Sequence, residues 1–224
     1  MKKSLVGVVA ILFASVAIQA QANVKITEVA PWASGNSPIS ADWFELTNTG
    51  NSAVSISGWK VDDNSNSFAA AVALSGLSSI NAGQSAIFVE GNATKAASFI
   101  SNWFGANVPA NFAIGYYSGS GIGLGAGGDA LNIYNASGVL QANVTFGASD
   151  AVSPFQTFDN AAGLSGAISQ LSMVGTNGAF VAANSAFEIG SPGTIAAVPE
   201  PETFAMMGLG LGLIGLMTRR RKQK

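Results

Sequence analysis

The chain has 224 residues, a formal net charge of −2, no cysteine and no histidine. Those two absences exclude a disulfide framework, a thiolate metal site, a thiol nucleophile and every Ser-His or Cys-His catalytic arrangement. Seven of the ten Lys and Arg lie in the first three or last six residues, so residues 23–197 hold three lysines against ten acids. That body, at −7 and without an arginine, offers no electrostatic footprint for nucleic acid or anionic lipid.

At the N-terminus, Lys2 and Lys3 form a basic region, Leu5 to Ile18 an apolar run and Ala20-Gln21-Ala22 an A-x-A cleavage site. Residues 1–22 therefore read as a signal peptide cut after Ala22, because the apolar run is short for a retained anchor and ends in small residues. The mature chain is expected to begin at Asn23, and residues 23–197 are long enough to bury a core as one domain.

Within that body Val24 to Val29 alternates and predicts a first strand, with Val24, Ile26 and Glu28 on one face and Lys25, Thr27 and Val29 on the other. Pro31 and Gly35-Asn36-Ser37-Pro38 end it in a loop. Asp42 to Asn48 is a second strand, and Val54 to Ser57 leads through Gly58 into Trp59-Lys60-Val61 and the acidic loop Asp62-Asp63-Asn64-Ser65-Asn66. Ser85 to Glu90 is another strand. Thr94 to Phe104 places Ala96, Phe99, Ile100 and Trp103 three and four apart, which predicts a short helix stopped at Gly105. The glycine-rich run Ser118 to Gly128 lacks the strand-to-helix context and the Lys-Ser/Thr of a phosphate loop. Asp129 to Asn135 and Val139 to Gly147 form a hairpin around Ala136-Ser137-Gly138. Residues 148–195 are weakly patterned, with candidate strands at Ala167 to Val174 and Ala179 to Ala182. Short strands between Gly/Asn/Ser turns, with one helix and no repeat, predict an all-β sandwich.

The C-terminus, residues 198–224, has three parts. Pro199-Glu200-Pro201 breaks any helix, Phe204 to Met217 is a run of apolar residues and glycines, and Arg219, Arg220, Arg221 and Lys222 form a cytoplasmic stop. The apolar run rises about 21 Å as a helix, against a hydrocarbon core of about 30 Å, so it predicts a weak single transmembrane helix. This order of parts resembles the PEP-CTERM sorting signal of Gram-negative bacteria that make exopolysaccharide. The resemblance implies export, a transient hold in the inner membrane, processing near Pro199, Glu200 and Pro201 by the membrane enzyme exosortase, and release or display at the cell surface.

A second resemblance is independent of the tail. Ile26-Thr27-Glu28-Val29, Asp42-Trp43-Phe44-Glu45-Leu46-Thr47-Asn48, Ile56-Ser57-Gly58-Trp59-Lys60-Val61-Asp62-Asp63, Gly128 to Gly138 and the closing Ser191-Pro192-Gly193 are similar to the lamin tail domain. The resemblance implies an immunoglobulin-like β-sandwich, longer than the compact family form at Ala106 to Gly121 and Ala148 to Glu188. It also implies a scaffold or binding module rather than a source of catalysis.

The candidate site residues follow from these readings. Trp59 reads as a core plug ahead of a sugar-stacking platform, and Trp43 as buried on one face. Trp32, in its loop, is expected to be exposed and is the candidate ligand contact. Asp62 and Asp63 lead a loop rich in the oxygen donors that calcium takes, without the spacing of an EF-hand. Glu28 and Glu45 read as acceptors for the ends of neighbouring loops, and no catalytic residue is assigned. The expected function is a non-enzymatic surface or matrix protein of the exopolysaccharide or biofilm. The alternatives are a carbohydrate-binding module using Trp32 and calcium, or a hydrolase with Glu28 paired to Glu45 or Asp42.

Overall fold

Val24–Ala30 forms β1 and pairs antiparallel with β2 (Trp43–Asn48), so the first two alternating runs of the sequence meet each other. The computed structural model describes residues 24–33, 37–149 and 153–194; the expected signal peptide, with Ala20 and Ala22, and the tail from residue 198 lie outside the described residues. The remaining strands are β3 (Val54–Ser55), β4 (Lys60–Asp62), β5 (Val72–Ser75), β6 (Ser79–Ile80), β7 (Ser85–Glu90), β8 (Ala113–Tyr117), β9 (Asp129–Tyr134) and β10 (Leu140–Phe146). The C-terminal part adds β11 (Phe155–Gln156), β12 (Phe158–Asp159), β13 (Gly166–Ile168), β14 (Phe180–Val181) and β15 (Glu188–Gly190). One helix, α1 (Ala93–Phe104), follows β7.

Ten strands run in the order β12-β1-β2-β7-β8-β5-β4-β9-β10-β13, folded into two layers. β5 makes the corner: Val72 and Ala73 pair with β4, while Leu74 and Ser75 pair with β8. The opposite corner is made after β13. Gly166–Ile168 runs parallel to β10, and two residues later Gln170 O accepts the Asp159 N–H at 2.8 Å while Leu171 bridges Phe158. Strands that change sheet in this way leave few unpaired edges to recruit another chain.

The core between the layers joins Ile26, Phe44, Leu46 and Phe88 of one sheet to Val61, Leu131, Ile133 and Val144 of the other, with Trp59 buried among them. Phe44 and Phe88 stack at 5.6 Å, and the strand residue above them is Gly115, where a Cβ would lie 2.6 Å from the Phe88 ring. The sandwich is thus closed by aromatic side chains that leave room only for glycine at that point.

A second core lies on the outer face of the first sheet, where α1 packs. Asn92 caps the helix, its Oδ1 accepting the Thr94 and Lys95 N–H groups at 3.0 and 3.3 Å, and Gly105 ends it at φ +56°. Phe99 and Trp103 then meet Trp43 edge-on at 5.2 and 5.6 Å. Both faces of β2 are therefore buried, and Trp43, expected to be covered in part, is fully enclosed because the helix supplies a third layer. Among the described residues no helix is long and apolar enough to cross a membrane.

The first strand departs from simple alternation. Ile26 pairs with Leu46 but Glu28 pairs with Glu45, so a β-bulge sits at Thr27. The extra residue brings Val29 into the same core as Val24 and Ile26, and it turns Glu28 to the helix side with Glu45. The predicted face of Glu28 is corrected accordingly.

Candidate functional site

Two carboxyl groups stand at the centre of the helix-side layer. Glu28 and Glu45 are neighbours in register on β1 and β2, and both are completely buried. Glu28 Oε1 accepts the Ser191 N–H at 2.7 Å and the Thr157 hydroxyl; Glu45 Oε2 accepts the Gly193 N–H at 2.6 Å. Glu45 Oε1 accepts the Thr27 hydroxyl at 2.8 Å, which continues through Thr47 to Ser85. The bulge is what makes this possible, since it aims Thr27 and Glu28 at the same side. The pair therefore grips Ser191-Pro192-Gly193, the last turn of the body, in the structural role expected of these acids.

Among the described residues no cation offsets the pair. Lys95 donates to Ile39 O at 3.0 Å, Lys60 lies 4.6 Å from the Phe68 ring centre, and Lys25 lines Gly163. Burial, followed by the charge of Glu45, pushes Glu28 well above the usual carboxylate range; burial lifts Glu45 to about 7, against the hydrogen bonds from Gly193 and Thr27. The pair therefore holds its protons to a higher pH than exposed carboxyls do. With neither carboxyl open to solvent, the arrangement offers no room for a glycosidic substrate and its water between two acids.

The third candidate acid, Asp42, is an anchor as well. Its Oδ1 accepts the Ala33 N–H and its Oδ2 the Leu124 N–H, both at 2.7 Å, and burial raises it to about 6. Asp129 takes the next amide, Gly125 N–H, at 2.6 Å. Two N–H groups of the glycine-rich loop, those of Leu124 and Gly125, thus face the protein's own carboxylates, in keeping with the missing nucleotide context.

Glu188 on β15 is a buried acid that the sequence reading missed. It accepts the Ile39 N–H at 3.3 Å and the Asn102 amide, and burial raises it above its ordinary range. It is the only charged side chain between Asp159 and Glu200, and a lone acid in so neutral a stretch was the available signal. Together Glu28, Glu45 and Glu188 tie the C-terminal segment to β1, β2 and α1.

Trp32 is corrected. The expected exposed aromatic is 1% exposed, edge-on to Trp43 at 6.0 Å and to Phe155 at 5.9 Å. The covering ring comes from β11, more than a hundred residues downstream, so the loop position of Trp32 gave no sign of it. A buried indole cannot serve as a sugar platform.

Asp62 and Asp63 shape their own turn. Asp62 Oδ2 accepts the Ser67 N–H at 2.6 Å and the Ser65 hydroxyl at 2.9 Å, and Asp63 Oδ1 accepts the Ser65 N–H at 3.1 Å. Among the described residues no three Asp or Glu gather in a way that could hold a metal ion. The calcium donors of the loop are thus engaged by the loop itself. Trp59, as expected, is a core residue.

Fold and site define an immunoglobulin-like β-sandwich whose acids are turned inward to hold its own loops and its C-terminal turn. The chain belongs to the lamin tail domain family, which matches residues 17–148. The PEP-CTERM protein-sorting motif matches residues 197–222, directly after the gripped turn. The protein is therefore exported and sorted by exosortase, with processing at the membrane. Both matches are of non-catalytic kinds. No curated protein matches the chain. The strands β11 to β15 lie beyond the lamin tail match and complete both the second corner of the sandwich and the layer beside α1.

Proposed function

We propose that the protein is a non-enzymatic component of the cell surface or extracellular matrix, with a structural or interaction role in exopolysaccharide or biofilm. Residues 1–22 direct export and are removed at Ala20-Gln21-Ala22, residues 23–197 form the working module, and residues 198–224 deliver it. The helix after Pro199-Glu200-Pro201 holds the chain briefly in the inner membrane, Arg219, Arg220, Arg221 and Lys222 remain on the cytoplasmic side, and exosortase processes the tail near the Pro-Glu-Pro motif.

The observation that supports this reading is the grip of Glu28 and Glu45 on the turn ahead of the tail. Thr194 is the last described residue, and Pro199 follows five residues later. Covalent geometry limits that stretch to about 18 Å, so the processing motif is presented close beside a rigid body. Acids buried as anchors, the absence of histidine and cysteine, and the enclosed carboxyl pair agree with a module that does no chemistry.

The test compares two strains of the native host, one making the full chain and one making a chain that lacks residues 198–224. The proposal expects the full chain in the matrix or surface fraction, and a biofilm defect in the deletion strain that only the full chain restores. Equal distribution of the two proteins, with biofilm unchanged by their loss, would contradict it.

A further inference from the structure

A cavity lies beside the gripped turn. It measures about 440 Å³ and is formed by the turn before β7, the turn before β8 and Gly193. Gln84 fastens the first two walls together: its Oε1 accepts the Asn81 N–H at 2.9 Å and its Nε2 donates to Asn111 O at 3.1 Å. The second turn is closed by the Phe112 N–H on Pro109 O at 3.2 Å, with Asn111 at φ +64°. Gly193, the third wall, is fixed by Glu45. All three walls are therefore set before any ligand arrives, which lowers the cost of binding.

The lining decides the ligand class. It contains Asn81, Gln84, Ser85, Asn111 and Phe112 and no charged side chain. Recognition of phosphate, carboxylate or a metal ion is favoured by charged side chains, and the lining carries none. Side-chain amides carry a donor and an acceptor on one planar group, which suits adjacent hydroxyls. Asn81 and Asn111 are exposed, one on each turn. Phe112 adds an apolar wall, its ring held against Phe104 at 4.7 Å. The cavity lies in the size range of small-ligand sites, and its walls are turns rather than a free strand edge, so strand addition by a peptide is not on offer.

We infer that this cavity binds a neutral sugar residue within a polysaccharide chain, with Asn81 and Asn111 as the hydroxyl-binding groups. The inference deepens the matrix role proposed above and rests on it only for the origin of the glycan. It also moves the carbohydrate contact from buried Trp32 to the end of the body from which the tail departs.

The experiment titrates the full chain, in mild detergent, with cellohexaose, with N-acetylchitohexaose, with acidic oligogalacturonate and with a peptide of residues 195–203. Asn81→Ala combined with Asn111→Gly, which keeps the left-handed backbone available, is titrated alongside, and amide NMR shifts locate the contact. The expected result is that at least one neutral oligosaccharide binds, that its shifts fall on residues 81–85 and 109–112, and that the double variant binds at least tenfold more weakly with its thermal midpoint unchanged. Silence of both neutral sugars, binding that the double variant leaves intact, or binding of the acidic glycan or the peptide alone would overturn the inference. None of those failures would alter matrix location in the tail-deletion strains, so the two proposals fail separately.

Discussion

Glu28 and Glu45 stand side by side across β1 and β2, and each accepts one backbone N–H of the same turn, Ser191 at 2.7 Å and Gly193 at 2.6 Å. Two buried acids without a cation would ordinarily cost stability. Here they fix the point at which the folded body ends and the sorting tail begins. Removing Glu45 as Glu45→Ala leaves the Gly193 N–H and the Thr27 hydroxyl without their acceptor, a loss of about 1–3 kcal/mol for each buried group. Amide exchange of residues 188–194 is expected to quicken by more than tenfold while β7 and β9 stay protected. Unchanged exchange at Gly193 would remove the grip from the account.

The same pair sets a pH dependence. Burial places both carboxyls above their ordinary value of 4.5, Glu45 at about 7 and Glu28 well above the usual carboxylate range, and Asp42 rises from 3.8 to about 6. The folded state therefore binds more protons than the unfolded one. The contribution of each group is complete below its unfolded value and is lost as pH rises through its folded value. The thermal midpoint should fall between pH 5 and pH 8, by roughly 5–10 °C for a chain of this size. Glu45→Gln should flatten the upper part of that slope. A midpoint that climbs over this range contradicts the buried pair.

Gly190 is the steric partner of this arrangement. A Cβ there would stand 2.6 Å from Glu28 Oε1 and 3.0 Å from the Trp103 ring. Gly190→Ala should destabilise by about 1–3 kcal/mol through overpacking, measured by urea unfolding. Gly147, with open space around it, is the control: Gly147→Ala should leave the urea midpoint almost unmoved.

All four tryptophans are buried, Trp32 and Trp43 against each other, Trp103 on the inner face of α1 and Trp59 between the sheets. Native fluorescence should be blue-shifted and resist acrylamide, becoming quenchable only on unfolding. A readily quenched native fraction near one quarter would return Trp32 to the surface.

The parts of the fold legible in sequence were those with a strong local residue pattern. β1, β2, β7, the β9–β10 hairpin and α1 carry their own alternation, helical spacing, caps and turns. β5, β8, β11, β12 and β15 do not. β8 contains Gly115, a weak strand residue that is required beneath Phe88, and β11 and β15 are short strands that pair with each other across more than thirty residues. The buried roles of Glu28 and Glu45 were readable from their places within strands. Their joint hold on Ser191 and Gly193 depended on the bulge at Thr27, which inverts the face of Glu28 and leaves no mark in the residue pattern. Trp32 was misplaced for a related reason, because Phe155 covers it from a distant segment.

The PEP-CTERM motif at residues 197–222 marks this body for export and sorting. The most direct measurement is the intact mass of the protein recovered from the surface or matrix of its native host. The predicted species begins at Asn23 and ends near Pro199 to Glu202, whereas a mass that retains Arg219 to Lys224 would contradict processing of the tail.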